Sequence, residues 1–115
     1  MKRGDIYLVE YEPVRGSEAS TARPSVIVSN DGANAAVSRT GRGVITVVPL
    51  TSNTSRVYPF QVLLAAAECG LPKDSKVQCE QVRALAEERF LRHVGTVPRR
   101  RMAEIDAALR RHLSL

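Results

Sequence analysis

Three short polar motifs contain the residues of this chain whose types could do chemistry. The motifs are Arg23-Pro24, Thr51-Ser52-Asn53 and Glu80-Gln81-Val82-Arg83, and each lies beside a run of β-forming residues. Proline keeps the residue before it extended, so the Arg23 side chain is fixed at a strand edge. A guanidinium binds phosphate oxygens through two parallel hydrogen bonds. Taken singly, the second motif is also typical of a polar turn, and the third of a surface ion pair.

The residue sets that usually perform acid–base, nucleophilic or metal catalysis are missing from this sequence. It has no paired carboxylates in one motif, no histidine near a nucleophile and no glycine-rich phosphate loop. Cys69 and Cys79 do not form a Cys-x-x-Cys pair, and His93 and His112 lie far from them. We therefore expect no metal, no cofactor and two inert free thiols.

The charge of the chain indicates a polyanionic partner. The 115 residues carry a formal charge of +5, and arginine supplies 14 of the 17 positive residues. A basic protein surface without a nucleic-acid partner would have the same composition, so the alternative stays open at this point. The five aromatic residues are too few and too scattered for a base-stacking sheet of the RRM type.

Length and hydropathy predict a single globular domain over residues 1–115. The longest apolar run covers residues 62–67, whereas a membrane-spanning helix needs about 20 apolar residues. Asp5 and Glu10 interrupt any apolar core of a signal peptide behind Met1. These features predict a cytoplasmic protein without a membrane partner.

The first two-thirds of the chain has the pattern of short β-strands, predicted at residues 5–11, 25–29, 44–48, 58–64 and 76–80. Such runs, separated by Gly, Pro, Asn and Ser clusters, favour a small antiparallel barrel or sandwich. Residues 12–22 and 31–43 are predicted as two long loops that bind a partner.

The last third is predicted to begin with a helical turn over residues 85–91 and a strand over residues 94–97. Met102, Ile105, Leu109 and Leu113 then recur at helical spacing, which predicts an amphipathic helix with Pro98 in its first turn. The apolar stripe of that helix is typical of core or dimer packing.

Six motifs of this chain stand in the order and spacing of the MazF toxins, and the sequence resembles that family over nearly its whole length. The motifs are Lys2-Arg3-Gly4-Asp5-Ile6-Tyr7, Gly16-Ser17-Glu18, Arg23-Pro24, Val28-Ser29-Asn30-Asp31, Thr51-Ser52-Asn53 and Glu80-Gln81-Val82-Arg83. The segment Ile105-Asp106-Ala107-Ala108-Leu109 also looks like the last helix of that family.

The resemblance implies a mainly β protein, an SH3-like antiparallel β-barrel with short helices and an amphipathic C-terminal helix. It implies a homodimeric toxin that cuts single-stranded RNA sequence-specifically, without metal, to a 2′,3′-cyclic phosphate and a 5′-hydroxyl. A co-encoded acidic antitoxin is the implied protein partner. By motif match Arg23 and Thr51 are the catalytic pair. The implied RNA-binding residues are Ser17, Glu18, Ser52, Asn53, Gln81 and Arg83.

The residue types of this chain account for charge stabilisation in this reaction, but they do not identify the general base. Negative charge grows on the phosphoryl oxygens when the RNA 2′-oxygen attacks, and a fixed guanidinium stabilises it. Free arginine and threonine side chains keep their protons at neutral pH. Three explanations stay open: an altered Arg23, assistance from Glu18, or electrostatic stabilisation and orientation alone.

Two other functional classes compete with the nuclease interpretation. Toxins of the same fold poison DNA gyrase by binding and cut nothing, but they lack the Arg-Pro and Thr-Ser-Asn combination and typically end in a tryptophan-containing tail. This chain has no tryptophan and ends His112-Leu113-Ser114-Leu115. The second competing class is a nucleic-acid-binding regulator without catalytic activity.

Overall fold

A computed structural model describes residues 1–12 and 22–115 of the chain. The strands are β1 (Asp5–Glu10), β2 (Ala22–Ile27), β3 (Val44–Thr51), β4 (Gln61–Leu64), β5 (Ser75–Gln78), β6 (Arg83–Ala86) and β7 (Phe90–Thr96). The helices are α1 (Asp31–Thr40), α2 (Ala66–Cys69) and α3 (Arg99–Leu113). The prediction of a mainly β fold with short helices and a C-terminal helix is confirmed.

All strands join one antiparallel sheet, and β3 is its central member. The order is β4-β5-β3-β2-β1-β7, and β6 pairs with the first half of β3 beside β5. Within the described ranges the end strands β4 and β7 do not pair with each other. The predicted barrel is therefore an open sheet and not a closed cylinder.

Side chains alternate between the two faces of the central strands, and each face has its own hydrophobic cluster. Val26 and Val48 lie in the first cluster, whereas Ile27 and Val47 lie in the second, and all four are fully buried. Helix α3 covers the first cluster, and α1 contributes Val37 to the second. The middle of the sheet is thus packed on both faces, which makes it a rigid support for groups at the strand ends.

The prediction of a binding loop over residues 31–43 is wrong, because this segment forms helix α1 and its C-terminal cap. The Asn30 side chain accepts a hydrogen bond from the Ala33 N–H at 2.8 Å at the start of the helix. Gly41 ends it in the left-handed conformation with a φ of 67°. The Gly and Asn residues that suggest a loop are therefore the caps of a helix.

The prediction of a helical turn over residues 85–91 is confirmed for Glu87–Arg89 and wrong for the residues on either side. This segment contains the end of β6, a 3₁₀ turn over Glu87–Arg89 and the start of β7. Leu85 pairs with Ile45 of β3 and is buried in the second cluster. Strand pairing and burial outweigh the local helix propensity of this segment. Strand β7 consequently begins earlier than the strand predicted over residues 94–97.

The predicted C-terminal helix is α3, although Pro98 is its N-cap and not part of its first turn. Met102 and Ile105 of the predicted stripe are buried in the first cluster, and Leu109 packs against it. Leu113 is 49% exposed, so the last residue of the stripe lies outside the core. None of the helices in the described parts of the chain is long and apolar enough to cross a bilayer.

The two cysteines behave as the sequence predicts. Cys69 and Cys79 are both free and buried. Burial raises the pKa of the Cys79 thiol to about 12 and also raises the pKa of Cys69. Both thiols therefore stay protonated and unreactive near neutral pH.

Close packing joins α2 to β7 beside Cys69. A Cβ atom placed on Gly95 would lie 2.3 Å from the carbonyl oxygen of Cys69. No side chain fits at that distance, so the backbones of the helix and the strand are in direct contact.

Glu68 lies in α2, a helix that the sequence does not predict. Its side chain connects this helix to α3. Its carboxylate accepts hydrogen bonds from the Ala65 N–H at 2.6 Å, from Arg100 at 2.9 Å and from Arg101 at 3.1 Å. The backbone hydrogen bond from Ala65 and the two arginines lower the pKa of Glu68 from 4.5 to about 2. The ionised carboxylate is therefore the form that holds the two helices together.

We expect Glu68→Gln to destabilise the protein near neutral pH and to have a smaller effect near pH 3. Because folding lowers the pKa of Glu68, its stabilisation is fully present above about pH 4.5 and is lost as the pH falls towards about 2. Urea unfolding of both proteins at about pH 7 and at about pH 3 measures this change. Glu88→Gln, at an exposed position in the turn between β6 and β7, is the control. An effect of Glu68→Gln that is equal at both pH values would contradict the prediction.

Candidate active site

A cavity of about 360 Å³ opens where β2 and β3 meet the α2–β5 connection. It contains both of the residues that the sequence predicts as catalytic, and we call it the Thr51 cavity. Its lining residues are Arg23, Pro24, Leu50, Thr51, Ser52, Leu71, Pro72, Lys73 and Ser75. Leucine and proline walls surround a few polar groups, which is the usual composition of a ligand site.

A second cavity of about 270 Å³ shares Arg23 with the first, and we call it the Tyr11 cavity. Its lining residues are Tyr11, Glu12, Arg23, Gln81 and Arg83. Arg23 lines both cavities, and its side chain is exposed. Arg23 is therefore the residue that connects the two cavities.

The sheet register brings Arg23 next to Thr51. Strands β2 and β3 pair antiparallel, with Ser25 opposite Pro49. The pairing stops two residues short of Arg23 and Thr51, which therefore lie at the adjoining ends of β2 and β3. Both residues line the Thr51 cavity, so their side chains can act on one bound group.

The turn after β3 orients the Thr51 hydroxyl. The Asn53 N–H donates to Thr51 Oγ1 at 3.2 Å, and Asn53 Oδ1 accepts from the Ser55 N–H and hydroxyl at 3.3 and 2.8 Å. A hydroxyl that accepts one hydrogen bond can still donate its own proton. Thr51 is thus positioned to donate to an anionic oxygen in the cavity.

Tyr11 holds Arg83 in the second cavity. The Arg83 guanidinium carbon lies 5.1 Å from the centroid of the Tyr11 ring, and the Tyr11 hydroxyl hydrogen-bonds with Ser25 Oγ. Burial raises the pKa of Tyr11, although Ser25 and the charges of Arg83 and Arg23 oppose this shift. Tyr11 stays neutral near pH 7, so the cavity retains the full positive charge of its arginines.

These groups suit the recognition of a phosphodiester between two nucleosides. Arg23 offers a fixed charge for the phosphate, Thr51 offers a hydroxyl donor, and each cavity has room for a flanking group. Within residues 1–12 and 22–115, no three His, Cys, Asp or Glu residues are grouped closely enough to hold a metal ion. The absence of a cofactor stays a prediction.

The structure brings together most of the predicted site residues that it describes. Arg23, Thr51 and Ser52 line the Thr51 cavity, while Gln81 and Arg83 line the Tyr11 cavity. Asn53 instead shapes the turn that positions Thr51. Ser17 and Glu18, with most of the predicted loop over residues 12–22, lie outside the described residues.

Sequence reasoning missed Tyr11, Lys73 and Ser75 as site residues. Tyr11 follows the alternating pattern of β1, and that pattern alone gives no sign of its contact with Arg83. Lys73 and Ser75 belong to a Gly-Leu-Pro-Lys-Asp-Ser segment that looks like an ordinary turn. Only the pairing of β3 with β5 brings that segment to Thr51.

Comparison with protein families identifies relatives along the whole chain. A sequence model described as "PemK-like, MazF-like toxin of type II toxin-antitoxin system" matches residues 2–113. The chain is 56% identical to the endoribonuclease MazF9 of Mycobacterium tuberculosis over 115 residues, which cover 100% of this chain and 98% of the relative. It is 32% identical to the endoribonuclease MazF of Staphylococcus saprophyticus over 113 residues, covering 95% and 88%.

Solved structures with the same fold include toxins bound to antitoxins. A MazE–MazF crystal structure from Deinococcus radiodurans superposes with a TM-score of 0.78 at 25% identity, covering 100% of this chain and 96% of that one. A mycobacterial endoribonuclease in complex with its cognate antitoxin gives a TM-score of 0.76, with the same identity and coverage.

We expect Tyr11→Phe to lower the free energy of unfolding by about 1 kcal/mol, because it removes the hydrogen bond to the buried Ser25. Urea unfolding of Tyr11→Phe, Ser25→Ala and the double variant tests whether the two groups are coupled. The double variant should lose less than the sum of the single losses. Strictly additive losses would show that this hydrogen bond does not stabilise the fold.

Proposed function

Because the chain belongs to the PemK-like, MazF-like toxins of type II toxin–antitoxin systems, we propose that its two cavities bind and cut single-stranded RNA. The protein is an endoribonuclease toxin, as the names of its curated relatives indicate. The observation that carries the site assignment is the position of Arg23, which lines both cavities and lies beside Thr51. Residues 1–115 form a single toxin domain in this proposal.

The proposed reaction is an internal transfer within the RNA. The 2′-oxygen of one nucleotide attacks the adjacent phosphorus, and the bond from that phosphorus to the 5′-oxygen of the next nucleotide breaks. The 2′-hydroxyl loses its proton and the departing 5′-oxygen gains one. The products are therefore a 2′,3′-cyclic phosphate and a 5′-hydroxyl end.

Arg23 and Thr51 act on the charge that develops in this reaction. The Arg23 guanidinium faces the phosphoryl oxygens, where negative charge grows as the 2′-oxygen attacks. The Thr51 hydroxyl donates to the same oxygens, since the Asn53 N–H already occupies one of its acceptor positions. Both groups are held by the sheet and the turn before substrate arrives, so little reorganisation is needed.

The RNA on either side of the cut contacts the other predicted residues. Gln81 and Arg83 of the Tyr11 cavity hold one flanking nucleotide, and Ser52 with Lys73 holds the other. Ser17 and Glu18 contribute to RNA binding in this proposal on motif match alone. Sequence specificity requires hydrogen bonds to base edges, which glutamine and serine side chains can make.

The proposed partners are a second copy of the chain and a co-encoded acidic antitoxin, both acting in the cytoplasm. Titles of solved relatives describe a toxin bound to its cognate antitoxin and a MazE–MazF assembly. The +5 charge of this chain favours an acidic partner segment, which would compete with RNA for the same basic surface.

We expect Arg23→Ala and Thr51→Ala each to slow RNA cleavage by about 100- to 1,000-fold, the usual effect of removing one charge-stabilising donor. Single-turnover cleavage of a long unstructured RNA measures the rate, and circular dichroism checks that the fold is retained. Arg99→Ala and Thr40→Ala are matched controls, because both residues are exposed and lie outside the two cavities. Near-normal cleavage by both site variants would refute the assignment.

The internal mechanism predicts that one 2′-deoxy nucleotide on the 5′ side of the cut blocks cleavage. The substitution removes the nucleophile but leaves the phosphate, so binding should be largely preserved. EDTA should leave the rate unchanged. Gel analysis of products from deoxy-substituted and unsubstituted RNA tests both expectations. A metal-dependent nuclease would cut the deoxy substrate and fail in EDTA, and a gyrase poison would cut neither RNA.

A further inference from the structure

The segment between β3 and β4 carries an exposed aromatic stack that the function above does not use. The rings of Tyr58 and Phe60 are parallel within 3°, with their centroids 5.3 Å apart, and Tyr58 is 40% exposed. Pro59 separates the two residues in sequence, so the stack forms locally. An exposed, parallel pair of rings offers a flat surface on which another planar group can pack.

Two cations lie against the same tyrosine. The Arg56 guanidinium carbon is 5.6 Å from the centroid of the Tyr58 ring, and its Nη1 donates to the Tyr58 hydroxyl at 3.2 Å. The Lys76 Nζ is 5.8 Å from the same centroid. An aromatic ring flanked by positive charge suits a ligand that is planar and anionic at once, as a nucleotide is.

The stack is held in place before any ligand binds. Lys76 is 9% exposed, and its Nζ donates to the Arg56 carbonyl at 2.6 Å. The Tyr58 N–H donates to the buried Gln61 side chain at 3.1 Å. Arg56 and Tyr58 are therefore tied to β5 and β4, which lowers the entropy lost on binding.

Strand pairing sets this surface beside the candidate active site. Lys76 pairs with Thr51 across β5 and β3, and paired residues point to the same face of the sheet. The segment that carries Tyr58 also begins directly after Thr51. A nucleic-acid strand that passes over Thr51 can therefore reach the stack with a neighbouring nucleotide.

We infer that Arg56, Tyr58 and Phe60 form a nucleobase-stacking subsite for a nucleotide that flanks the scissile phosphate. This inference rests on the proposed RNA-cleaving function. The base packs on the Tyr58 ring, which stays stacked with Phe60. The Arg56 guanidinium packs on the base or contacts its phosphate. Stacking accepts every base, and the larger purines gain more contact than pyrimidines.

The test uses fluorescein-labelled oligodeoxyadenylate and oligothymidylate, which internal attack cannot cleave, and measures binding by fluorescence anisotropy. Tyr58→Ala should weaken oligodeoxyadenylate binding by about 5- to 150-fold, whereas Tyr58→Phe, which keeps the ring, should bind nearly normally. Arg56→Gln should weaken binding more than Arg99→Gln, its charge-matched control on α3. The loss in Tyr58→Ala should be larger for the purine strand.

A second measurement uses the unsubstituted protein, so it does not depend on how a variant folds. An oligodeoxynucleotide carrying 5-iodo-2′-deoxyuridine is bound and irradiated, and mass spectrometry maps the cross-link. Stacking predicts a cross-link at Tyr58 or Phe60.

Three outcomes would overturn the subsite. Equal affinity of Tyr58→Ala and the unsubstituted chain for both strands would overturn the stacking while leaving the proposed function standing. Unchanged affinity with a smaller sedimenting species in Tyr58→Ala would assign the surface to a second copy of the chain. Failure of the unsubstituted chain to bind either strand or a single-stranded RNA would overturn the subsite and the proposed function together.

Discussion

The hydrogen-bond register of strand β3 is the constraint on which the candidate site depends. β3 ends at Thr51, and each of its neighbours supplies a group to the same region. β2 brings Arg23 to the same end of the sheet, and β5 sets Lys76 opposite Thr51. β6 pairs Arg83 with Val47 further back along the strand. A slip of one residue in any of these pairings would turn the corresponding side chain to the other face of the sheet.

The sequence allowed prediction of the parts of the fold in which local pattern and long-range packing agree. The run of β-branched residues in β3 shows in the chain because this strand is buried on both faces. The stripe of α3 shows because one face of that helix is buried. Helix α1 was not predictable in the same way, since its caps Asn30 and Gly41 have the composition of a loop. Leu85 and Ala86 were misjudged because pairing with β3 decides their structure, and no local signal reports that pairing.

Some residues of the candidate site could be predicted from the sequence and others could not. Arg23 and Thr51 could be predicted, because the motif match fixes residue types at fixed positions. Tyr11 and the Tyr58–Phe60 stack could not be predicted, because their roles depend on contacts with Arg83 and Lys76 that only the folded sheet creates. Arginine also serves two purposes that composition cannot separate. Arg101 pairs with the Glu68 carboxylate and joins two helices, whereas Arg83 lies over an aromatic ring in a cavity.

The contact between Gly95 and Cys69 restricts how this family can diverge at that point. A hydrogen atom is the largest substituent that position 95 accepts while α2 stays where it is, because a Cβ would meet the Cys69 carbonyl oxygen at 2.3 Å. A relative with any other residue there needs a shift of α2 or of β7. Since α2 leads into the segment that carries Lys73 of the Thr51 cavity, a relative with a shifted α2 would present a differently shaped wall to its substrate. The identity of one residue on an outer strand thus predicts the geometry of a distant cavity.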